Sequence, residues 1–343
     1  MSSVLTERRD PLAGPGNAAS AQTELPGVSV VVPAHNYAHY LPMTIGSVLA
    51  QTYRGLEIIV VDDGSTDNTR EVVARYEDPR VRYVWQANAG LSAARNKGIE
   101  VAQMPFVGFL DADDVWLPDF VNEAMRQFAT LGDRYAVVAA ITGRMDQHGR
   151  ELTPPRFTFH RSGECTTRDF VMRNLPLSSS LIARRSVFAE CGLFDTTLRS
   201  SEDRDMWIRI TMRHRFWLIE RPLALVRRHG GNMSKNAPQM KRNSLAVMLK
   251  AWRSGSVSRL AVVFWLRAFS LHHAQTSWTH FEGGYRWRAF AFLGISVLLW
   301  PVFLKPSRVY EPPLFRVRTF VRFSQGVLRS LFAGTPKPAA SNG

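Results

Sequence analysis

The sequence predicts an α/β fold in which a mostly parallel β-sheet is covered by helices on both faces. From Val28 onward, short continuous apolar runs alternate with amphipathic segments, as expected for strands buried on both faces. Acidic clusters follow or lie near apolar runs at three points, Asp62-Asp63, Asp111–Asp114 and Glu202-Asp203. The 343-residue chain is long enough for one such domain of about 230 residues and an appendage.

The elements follow from hydrophobic periodicity and from turn residues. Strands are predicted at Val28–Val32, Leu56–Val61, Val81–Trp85, Pro105–Leu110 and Tyr135–Ile141. Helices are predicted between them at Tyr40–Gln51, Asn68–Tyr76, Leu91–Ala102 and Asp119–Thr130. Beyond Ile141 the pattern weakens, and a loop over 142–167, a strand at Ser178–Ala183, a helix at Arg204–Met212 and a strand at Phe216–Glu220 are predicted.

Polar residues stand where three of the predicted strands end. They are Pro33–Asn36, Asp62-Asp63 and Asp111–Asp114. Ligands of open parallel sheets bind beyond the carboxyl ends of the strands. Clustered carboxylates repel one another and are costly to desolvate, and a divalent cation with a polar ligand between them relieves both effects. The sequence therefore indicates chemistry on a phosphorylated, hydroxyl-rich substrate.

The Asp111-x-Asp113 pair can ligate Mg²⁺ or Mn²⁺ through one carboxylate while the other holds a ribose hydroxyl or a second coordination position. Aspartate is also favoured in turns for its own sake, so this interpretation depends on the second acidic pair at a neighbouring strand end. That pair, Asp62-Asp63, forms either an Asx-turn or a site that recognises a nucleobase. Gly64 would permit a tight turn there.

Glu202-Asp203 opens a predicted helix, where the helix dipole alone favours carboxylates. The functional interpretation makes Asp203 a general base that takes a proton from an acceptor hydroxyl. Glu202, Arg204 and Trp207 are then candidates for the acceptor side of the site.

Two histidines are candidates with competing interpretations. His229 lies in a loop flanked by Arg and Gly and is either structural or in contact with the metal or the diphosphate. His35 either stacks on a nucleobase or caps the turn. The chain lacks GxxxxGK[ST], HExxH, GxSxG and a GxGxxG after the first strand, which argues against P-loop NTPases, zinc proteases, α/β-hydrolases and dinucleotide oxidoreductases.

The net charge of +14 is concentrated in the C-terminal region. Residues 241–343 contain 15 Lys or Arg and only Glu282 and Glu311 as acidic residues. Two segments there, Ser256–Leu271 and Arg286–Leu304, are apolar, aromatic and accompanied by Arg. The uncharged run Ala289–Leu304 would form a helix of about 24 Å, short of the roughly 30 Å hydrocarbon core of a bilayer.

These segments are expected to lie in the interface of an anionic membrane or to form a shallow re-entrant hairpin. A membrane span and a soluble helical appendage are the alternatives. Nucleic acid is not an expected partner, because the aromatic residues are too contiguous and apolar for a phosphate-binding arm.

We expect a disordered leader at 1–26, a catalytic domain at 27–235 and this basic helical region at 236–343. Cys165 and Cys191 are expected to be reduced thiols, which fits a reducing compartment.

Five stretches together resemble glycosyltransferase family 2. They are VSVVVPAHNYAHYLPMTIGSVLAQTYRGLEIIVVDDGSTDNT, NAGLSAARNKGIEVA, PFVGFLDADDVWLPD, SSEDRDMWIRI and RRHGGNMS, in the order and spacing of the family. The resemblance covers about Val28 to Ser234, and it implies the GT-A fold and an inverting transfer of sugar from a nucleotide diphosphate.

The resemblance also implies roles for individual residues. Pro33, His35 and Asp63 would line the nucleoside pocket. Arg95 would reach the base or the diphosphate, and Asp111 would contact the ribose–phosphate side. Asp113 would ligate Mg²⁺ or Mn²⁺, and Asp203 would be the general base. A UDP-sugar is favoured as donor, and a glycan or a lipid-linked acceptor at the cytoplasmic face of the membrane is expected, in cell-envelope or exopolysaccharide biosynthesis. The sequence has no QxxRW motif, which favours transfer of a single sugar over processive synthesis.

Two other functions remain open at this point. A phosphatase of the haloacid dehalogenase type would use Asp111 and Asp113 as nucleophile and acid, but it leaves the other two acidic clusters unexplained and places its DxD on the first strand. A catalytically silent membrane adaptor that keeps the fold is the second alternative.

Overall fold

The computed structural model describes residues 26–152, 163–172, 178–230, 236–301 and 314–332. The leader predicted for 1–26 lies, apart from Pro26, outside these residues. The strands are β1 (Val28–Ala34), β2 (Leu56–Asp63), β3 (Val81–Gln86), β4 (Phe106–Phe109), β5 (Val115–Trp116), β6 (Tyr135–Met145), β7 (Glu151–Leu152), β8 (Gly163–Cys165), β9 (Leu181–Arg184) and β10 (Arg215–Arg227). The helices are α1 (Leu41–Leu49), α2 (Thr69–Ala74), α3 (Leu91–Val101), α4 (Phe120–Leu131), α5 (Thr167–Met172), α6 (Ser186–Cys191), α7 (Glu202–Thr211), α8 (Ala237–Ser254), α9 (Val262–Glu282), α10 (Arg286–Leu299) and α11 (Phe315–Phe332).

Helices cover both faces of the sheet, as predicted. Side chains of β1 alternate between two cores: Val31 packs with residues of α3 and of α5–α9, whereas Val30 and Val32 pack with residues of α1, α2 and α4. Because successive side chains of a strand point to opposite faces, a strand buried on both faces is apolar throughout. This explains the continuous apolar runs of the sequence.

The first four strands of the sheet are parallel, and the remainder is mixed. The strand order is β3-β2-β1-β4-β9-β6-β10-β5, with β7 paired to β6 and β8 to β10. β1 pairs in parallel with β2 and β4, and β2 with β3. β9 lies antiparallel between β4 and β6, and β10 runs parallel to β6 and antiparallel to β5. The insertion of β9 therefore ends the parallel half.

The prediction of a loop over 142–167 is wrong for the described part of that segment. β6 continues to Met145, β7 pairs with it, and β8 pairs with β10. β10 also extends well beyond the predicted Phe216–Glu220, because it passes Pro222 through a register shift against β6 and resumes pairing as far as Arg227. Helices α5 and α6 were not predicted.

The C-terminal helices do not share one environment. Val247 and Met248 of α8 and Trp265 and Leu271 of α9 belong to the same core as α7. Helix α9 begins at Val262 and ends at Glu282, and the predicted Ser256–Leu271 segment overlaps its first half. That half buries Trp265 and Leu271 but exposes Val262 and Val263. The alternative of a helical appendage packed on the catalytic domain therefore describes α8 and α9.

Helix α10 has one buried and one exposed face. Ala289, Leu293 and Ser296 are buried, whereas Trp287 and Leu298 are 85% and 82% exposed. None of the helices within the described ranges combines the length and apolarity needed to cross a bilayer. The predicted uncharged run Ala289–Leu304 is helical only as far as Leu299, and 302–304 lie outside the described residues.

Candidate active site

The carboxyl ends of β1, β2 and β4 lie side by side and deliver the predicted residues to one edge of the sheet. Ala34 is opposite Asp62 in the β1–β2 register, and the Leu110 amide donates to the Val31 carbonyl oxygen at 3.0 Å. His35 follows β1, Asp63 is the last residue of β2, and Asp111 lies two residues after the end of β4. The predicted shared edge is therefore present, and Pro33 is buried within β1 beside it.

Asp63 organises the loop between β3 and α3. Its carboxylate accepts from the Gln86 side-chain amide at 2.7 Å and from the backbone amides of Ala89 and Gly90 at 2.8 Å each. Gly64 has φ +70°, and a Cβ at that position would lie 2.8 Å from the Asn88 amide nitrogen. Only glycine fits this close turn without strain. The predicted contact of Asp63 with a nucleobase would have to share this hydrogen-bond network.

The His35 ring lies exposed above the same loop. Its Nδ1 is 2.9 Å from the Asp63 carbonyl oxygen, so that nitrogen carries the proton and donates. The side-chain Nδ2 of Asn88 lies 3.3 Å from the His35 Nε2. This geometry presents an exposed imidazole beside the Asp63 loop, and its stacking on a nucleobase stays a prediction.

The turn after β4 brings three carboxylates together with different partners. The Asp113 Oδ2 lies 2.9 Å from the His229 Nε2. Asp114 is buried and accepts from the Arg227 backbone amide at 2.9 Å, while the Arg227 Nε donates to the Asp113 carbonyl oxygen at 2.7 Å. The end of β10 is thereby fastened to the acidic turn, and His229 is carried to Asp113.

Burial and the charges of neighbouring carboxylates raise the pKa of Asp113 and of Asp114. Burial, and then the charge of Asp111, raises the pKa of Asp113 against the opposing effect of His229. Burial and the Asp113 and Asp111 charges raise the pKa of Asp114 well above its usual range. The Tyr37 hydroxyl responds to the same field, because burial and the Asp113 and Asp111 charges raise its pKa to about 12. The turn thus carries excess negative charge.

The donor set at this turn fits a hard divalent cation. No group of three or more His, Cys, Asp and Glu in the described part of the chain could hold a metal ion by itself. Mg²⁺ is commonly held by one or two carboxylates together with substrate phosphates rather than by a complete protein cage. Asp113, with Asp111 beside it and His229 in contact, supplies that partial set, and a bound cation would offset the repulsion.

Arg95 joins two of the acidic clusters. It is 1% exposed, and its Nη2 and Nη1 donate to the Asp111 Oδ1 and to the Glu202 Oε1, each at 2.7 Å. Burial opposes its charge, but Asp111 and Glu202 outweigh burial and raise the pKa of Arg95 above its usual value. Arg95 therefore lies beneath the acidic residues as a fixed cation, and its predicted contact with the base or diphosphate stays a prediction.

Asp203 differs from its neighbour Glu202. Burial, and then the Glu202 charge, raises the pKa of Asp203 to about 7, although Arg95 and a hydrogen bond from the Arg204 amide lower it. That bond, 2.7 Å from the Arg204 nitrogen to the Asp203 Oδ1, is the one we find for this carboxylate within the described residues. A carboxylate with a pKa near neutrality and a partly exposed side chain has the properties of a general base.

The structure corrects the predicted acceptor side. Trp207 and Arg204 are 0% and 1% exposed and face the core. The Arg204 guanidinium donates to the Phe170 and Val171 carbonyl oxygens at 2.8 and 2.5 Å. Glu202 is likewise buried against Arg95. These side chains hold helix α7 in place, so none of the three is free to contact an acceptor in this conformation.

Sequence reasoning missed an aromatic wall beside Asp113. The His229 ring centroid lies 5.8 Å from that of Tyr37 and 5.2 Å from that of Tyr40. The Arg227 guanidinium carbon lies 4.5 Å from the centre of the Tyr40 ring. The sequence signal was the position of Tyr37 and Tyr40, three and six residues after the end of β1.

Comparisons with known proteins agree with this geometry. Residues 29–181 match the family model of glycosyl transferase family 2. The chain is 42% identical over 194 residues to the uncharacterized glycosyltransferase EpsJ of Bacillus subtilis, which covers 52% of this chain and 54% of EpsJ. It is 32% identical over 196 residues to an uncharacterized glycosyltransferase of Rickettsia bellii, which covers 55% of this chain and 28% of that protein. The chain thus spans about half or less of the length of these relatives.

Solved structures share the fold at low sequence identity. The mannosyltransferase PcManGT from Pyrobaculum calidifontis, solved with GDP-Man and Mn²⁺, has a TM-score of 0.59 and 17% identity over 91% of this chain and 83% of its own. S. aureus TarS 1-349 with UDP-GlcNAc has a TM-score of 0.52 and 17% identity over 80% of this chain and 89% of its own.

The haloacid dehalogenase alternative, by contrast, requires its DxD on the first strand, whereas Asp111 and Asp113 follow β4. Residues 29–181 thus resemble glycosyl transferase family 2, and the described domain has the GT-A fold of these solved structures.

Proposed function

We propose that the protein is an inverting, metal-dependent glycosyltransferase that moves a single sugar from a nucleotide diphosphate, with a UDP-sugar favoured, to a hydroxyl of a glycan or lipid-linked acceptor. The observation that carries the proposal is the Arg95 bridge. Its two 2.7 Å ion pairs hold the DxD turn and the Glu202-Asp203 pair around one buried cation. This bridge supports a site in which a donor-binding group and a base act together.

The proposed mechanism gives each group a single task. A Mg²⁺ or Mn²⁺ ion held by Asp113 and Asp111 would neutralise the diphosphate leaving group when bound. His35 and the Asp63 loop bind the nucleoside, and His229 orients the Asp113 carboxylate through its 2.9 Å contact. Asp203 accepts the proton of the acceptor hydroxyl as that oxygen attacks the anomeric carbon and the bond to the diphosphate breaks. A single displacement of this kind inverts the anomeric centre.

Donor-dependent stabilisation of the full chain tests the proposal. We expect one sugar nucleotide of a panel of UDP-, GDP- and dTDP-sugars to raise the melting temperature in the presence of Mn²⁺ and not with EDTA, because a ligand that binds only the folded state stabilises it. Asp113→Asn should lose the Mn²⁺-dependent part of this shift. Hydrolysis of phosphate esters without turnover of any sugar nucleotide would contradict the proposal, and wild-type transfer by Asp113→Asn would support the silent-adaptor alternative.

We also propose that the C-terminal helices hold the enzyme at the cytoplasmic face of a membrane, in cell-envelope or exopolysaccharide biosynthesis. Trp287, Ala291, Gly294 and Leu298 of α10 are spaced as one helical stripe and are exposed. The following α11 exposes Phe320 and carries several arginines. Exposed aromatic and aliphatic side chains beside basic residues are typical of helices that lie in an anionic membrane interface.

Flotation of the full chain with vesicles tests the membrane proposal. We expect binding to phosphatidylglycerol-containing vesicles and weak binding to pure phosphatidylcholine. The double variant Trp287→Ser, Leu298→Ser should remain unbound, whereas Trp85→Ser, which removes another exposed tryptophan, from β3, should bind as the wild type does. Deletion of residues 256–343 is a poorer test, because it would remove buried residues of α9. Undiminished flotation of the double variant would refute the proposal.

A further inference from the structure

Helix α8 contacts the loop that leads to Asp203 along most of its length. We define this loop, 195–201, as the base-supporting loop. The Gln239 side-chain amide donates to the Arg199 carbonyl oxygen at 3.0 Å. Eleven residues further along the helix, the Lys250 ammonium lies 2.9 Å from the Asp195 Oδ2 and 2.9 Å from the Asp205 Oδ1. Helix α8 therefore contacts the base-supporting loop near both ends of the loop.

Asn243 makes the central contact of α8 with this loop. With its amide oriented so that the oxygen faces the loop, Asn243 accepts from the Arg199 amide at 2.9 Å, the Ser200 amide at 3.0 Å and the Ser200 hydroxyl at 3.2 Å. Asn243 is 5% exposed. The turn leaves these two consecutive backbone amides without other acceptors in the described residues, and the Asn243 side-chain oxygen satisfies both. Because a buried backbone amide without a partner is costly, this contact stabilises the loop.

The loop reaches Asp203 through a strained residue. Ser201 has φ +62°, in the left-handed region that non-glycine residues rarely occupy. Its hydroxyl is buried and has no hydrogen-bond partner within the described residues. Such a conformation persists only where the surrounding structure fixes it. Residues before and after Ser201 are fixed. Ser200 is held by Asn243. Arg204, three residues further on, donates to the Phe170 and Val171 carbonyl oxygens and to the Ser244 hydroxyl at 3.0 Å.

We propose that α8 is a positioning element for catalysis and that Asn243 is its main positioning residue. By holding the base-supporting loop, Asn243 keeps Ser201 in its left-handed conformation and so sets the direction in which Asp203 points. The inference rests on the proposed role of Asp203 as the base. It gives α8, which lies beyond the matched family segment, a part in the reaction in addition to its packing.

A pair of Asn243 variants tests this role. Asn243→Leu removes the acceptor at similar volume, and Asn243→Asp keeps an acceptor. We expect Asn243→Leu to lower kcat by about 10–100-fold, because misplacement of a catalytic group by about 1 Å costs up to about 100-fold. The Kd for the donor nucleotide should stay within about twofold, since the donor side is held by β1, β2 and β4. Asn243→Asp, measured on the high-pH plateau, should recover most of kcat. Arg242→Ala, an exposed neighbour on α8, is the matched control and should behave as the wild type does.

The outcomes separate this inference from the proposed function. If Asn243→Leu loses activity only in proportion to its loss of folded protein, or if Asn243→Asp recovers nothing, the positioning role is refuted. Should Asn243→Leu fail to fold, Lys250→Met and Lys250→Arg repeat the comparison at a half-exposed position, and equal kcat in the two would refute it. Asp203→Asn is assayed in parallel: full activity of that variant would refute the proposed function itself, whatever the Asn243 variants do.

Discussion

The DxD turn and the Glu202-Asp203 pair contain the same kind of side chain in two different electrostatic settings. At the turn, Asp113 has His229 as its partner, and its pKa is raised by burial and by Asp111. At the start of α7, Arg95 pairs with Glu202, and the pKa of Asp203 rises to about 7. One site contains surplus negative charge, and the other contains a carboxylate that can exchange a proton near neutral pH.

This difference shows how neighbours assign roles to identical groups. Pairs of titratable residues whose surroundings separate their pKa values identify the acid–base partners of a site. Arg95 takes part in both settings, because it pairs with Glu202 and Asp111 and leaves Asp203 without a side-chain cation in direct contact among the described residues. The comparison therefore predicts unequal consequences for substitutions in the two clusters.

The largest expected effect is that of Asp203→Asn. The variant cannot accept a proton, so we expect kcat to fall by about 10²–10⁴-fold. UDP affinity should stay within a few fold of the wild type, because the donor is proposed to bind at the DxD turn and the Asp63 loop. Steady-state kinetics and calorimetric titration with UDP and Mn²⁺ measure the two quantities, and a large loss of UDP affinity would contradict the division of roles.

Arg95→Met should lower stability strongly, because it leaves Glu202 and Asp111 without their cation. Removing one partner of a buried ion pair costs about 3–5 kcal/mol in the free energy of unfolding. Urea unfolding measures the change. Arg126→Ala, which breaks an exposed pair with Glu123 on α4, is the control and should change stability by no more than about 1 kcal/mol. Equal stability of Arg95→Met and the wild type would show that the bridge is not formed in solution.

The pH dependence of kcat/KM gives the smallest but most specific effect. The pKa of Asp203 is raised to about 7, so the basic form is lost as the pH falls below that value. We expect a limb that rises with pH, with a midpoint near pH 7 and a slope of about tenfold per pH unit below it. In Asp203→Asn the limb should be absent from the residual activity. A wild-type profile that is flat between pH 5 and pH 8 would exclude Asp203 as the titrating base.

The parallel half of the fold was predictable because its sequence signals are local. Continuous apolar runs located β1, β2 and β4, and the acidic residues after them marked the shared edge. Trp207 and Arg204 were misplaced because α7 is buried almost all round, so its sequence does not show which face meets solvent. The pairing of Arg95 with residues 16 and 107 positions away depends on how α3 packs against the turn after β4 and against α7, which no spacing in the sequence reveals.

The C-terminal region illustrates the same boundary between local and long-range information. Its charge and apolar content were evident from composition, but the sequence did not show that α8 and α9 complete the core of the catalytic unit. Asn243 and Ser244 carry no motif, and they acquire a role only through the loop that the fold places beside them.

The 13-residue strand β10 has a further consequence for engineering this protein. It pairs with β6 from Arg215 to Arg227, and with β8 and then β5 on the way to the acidic turn. His229 follows two residues after its end. Because side chains alternate along a strand, deletion of a single residue near Pro222 would turn Arg227 to the opposite face and withdraw His229 by about 3.3 Å. Loop grafts intended to change sugar preference should therefore preserve the length of this strand.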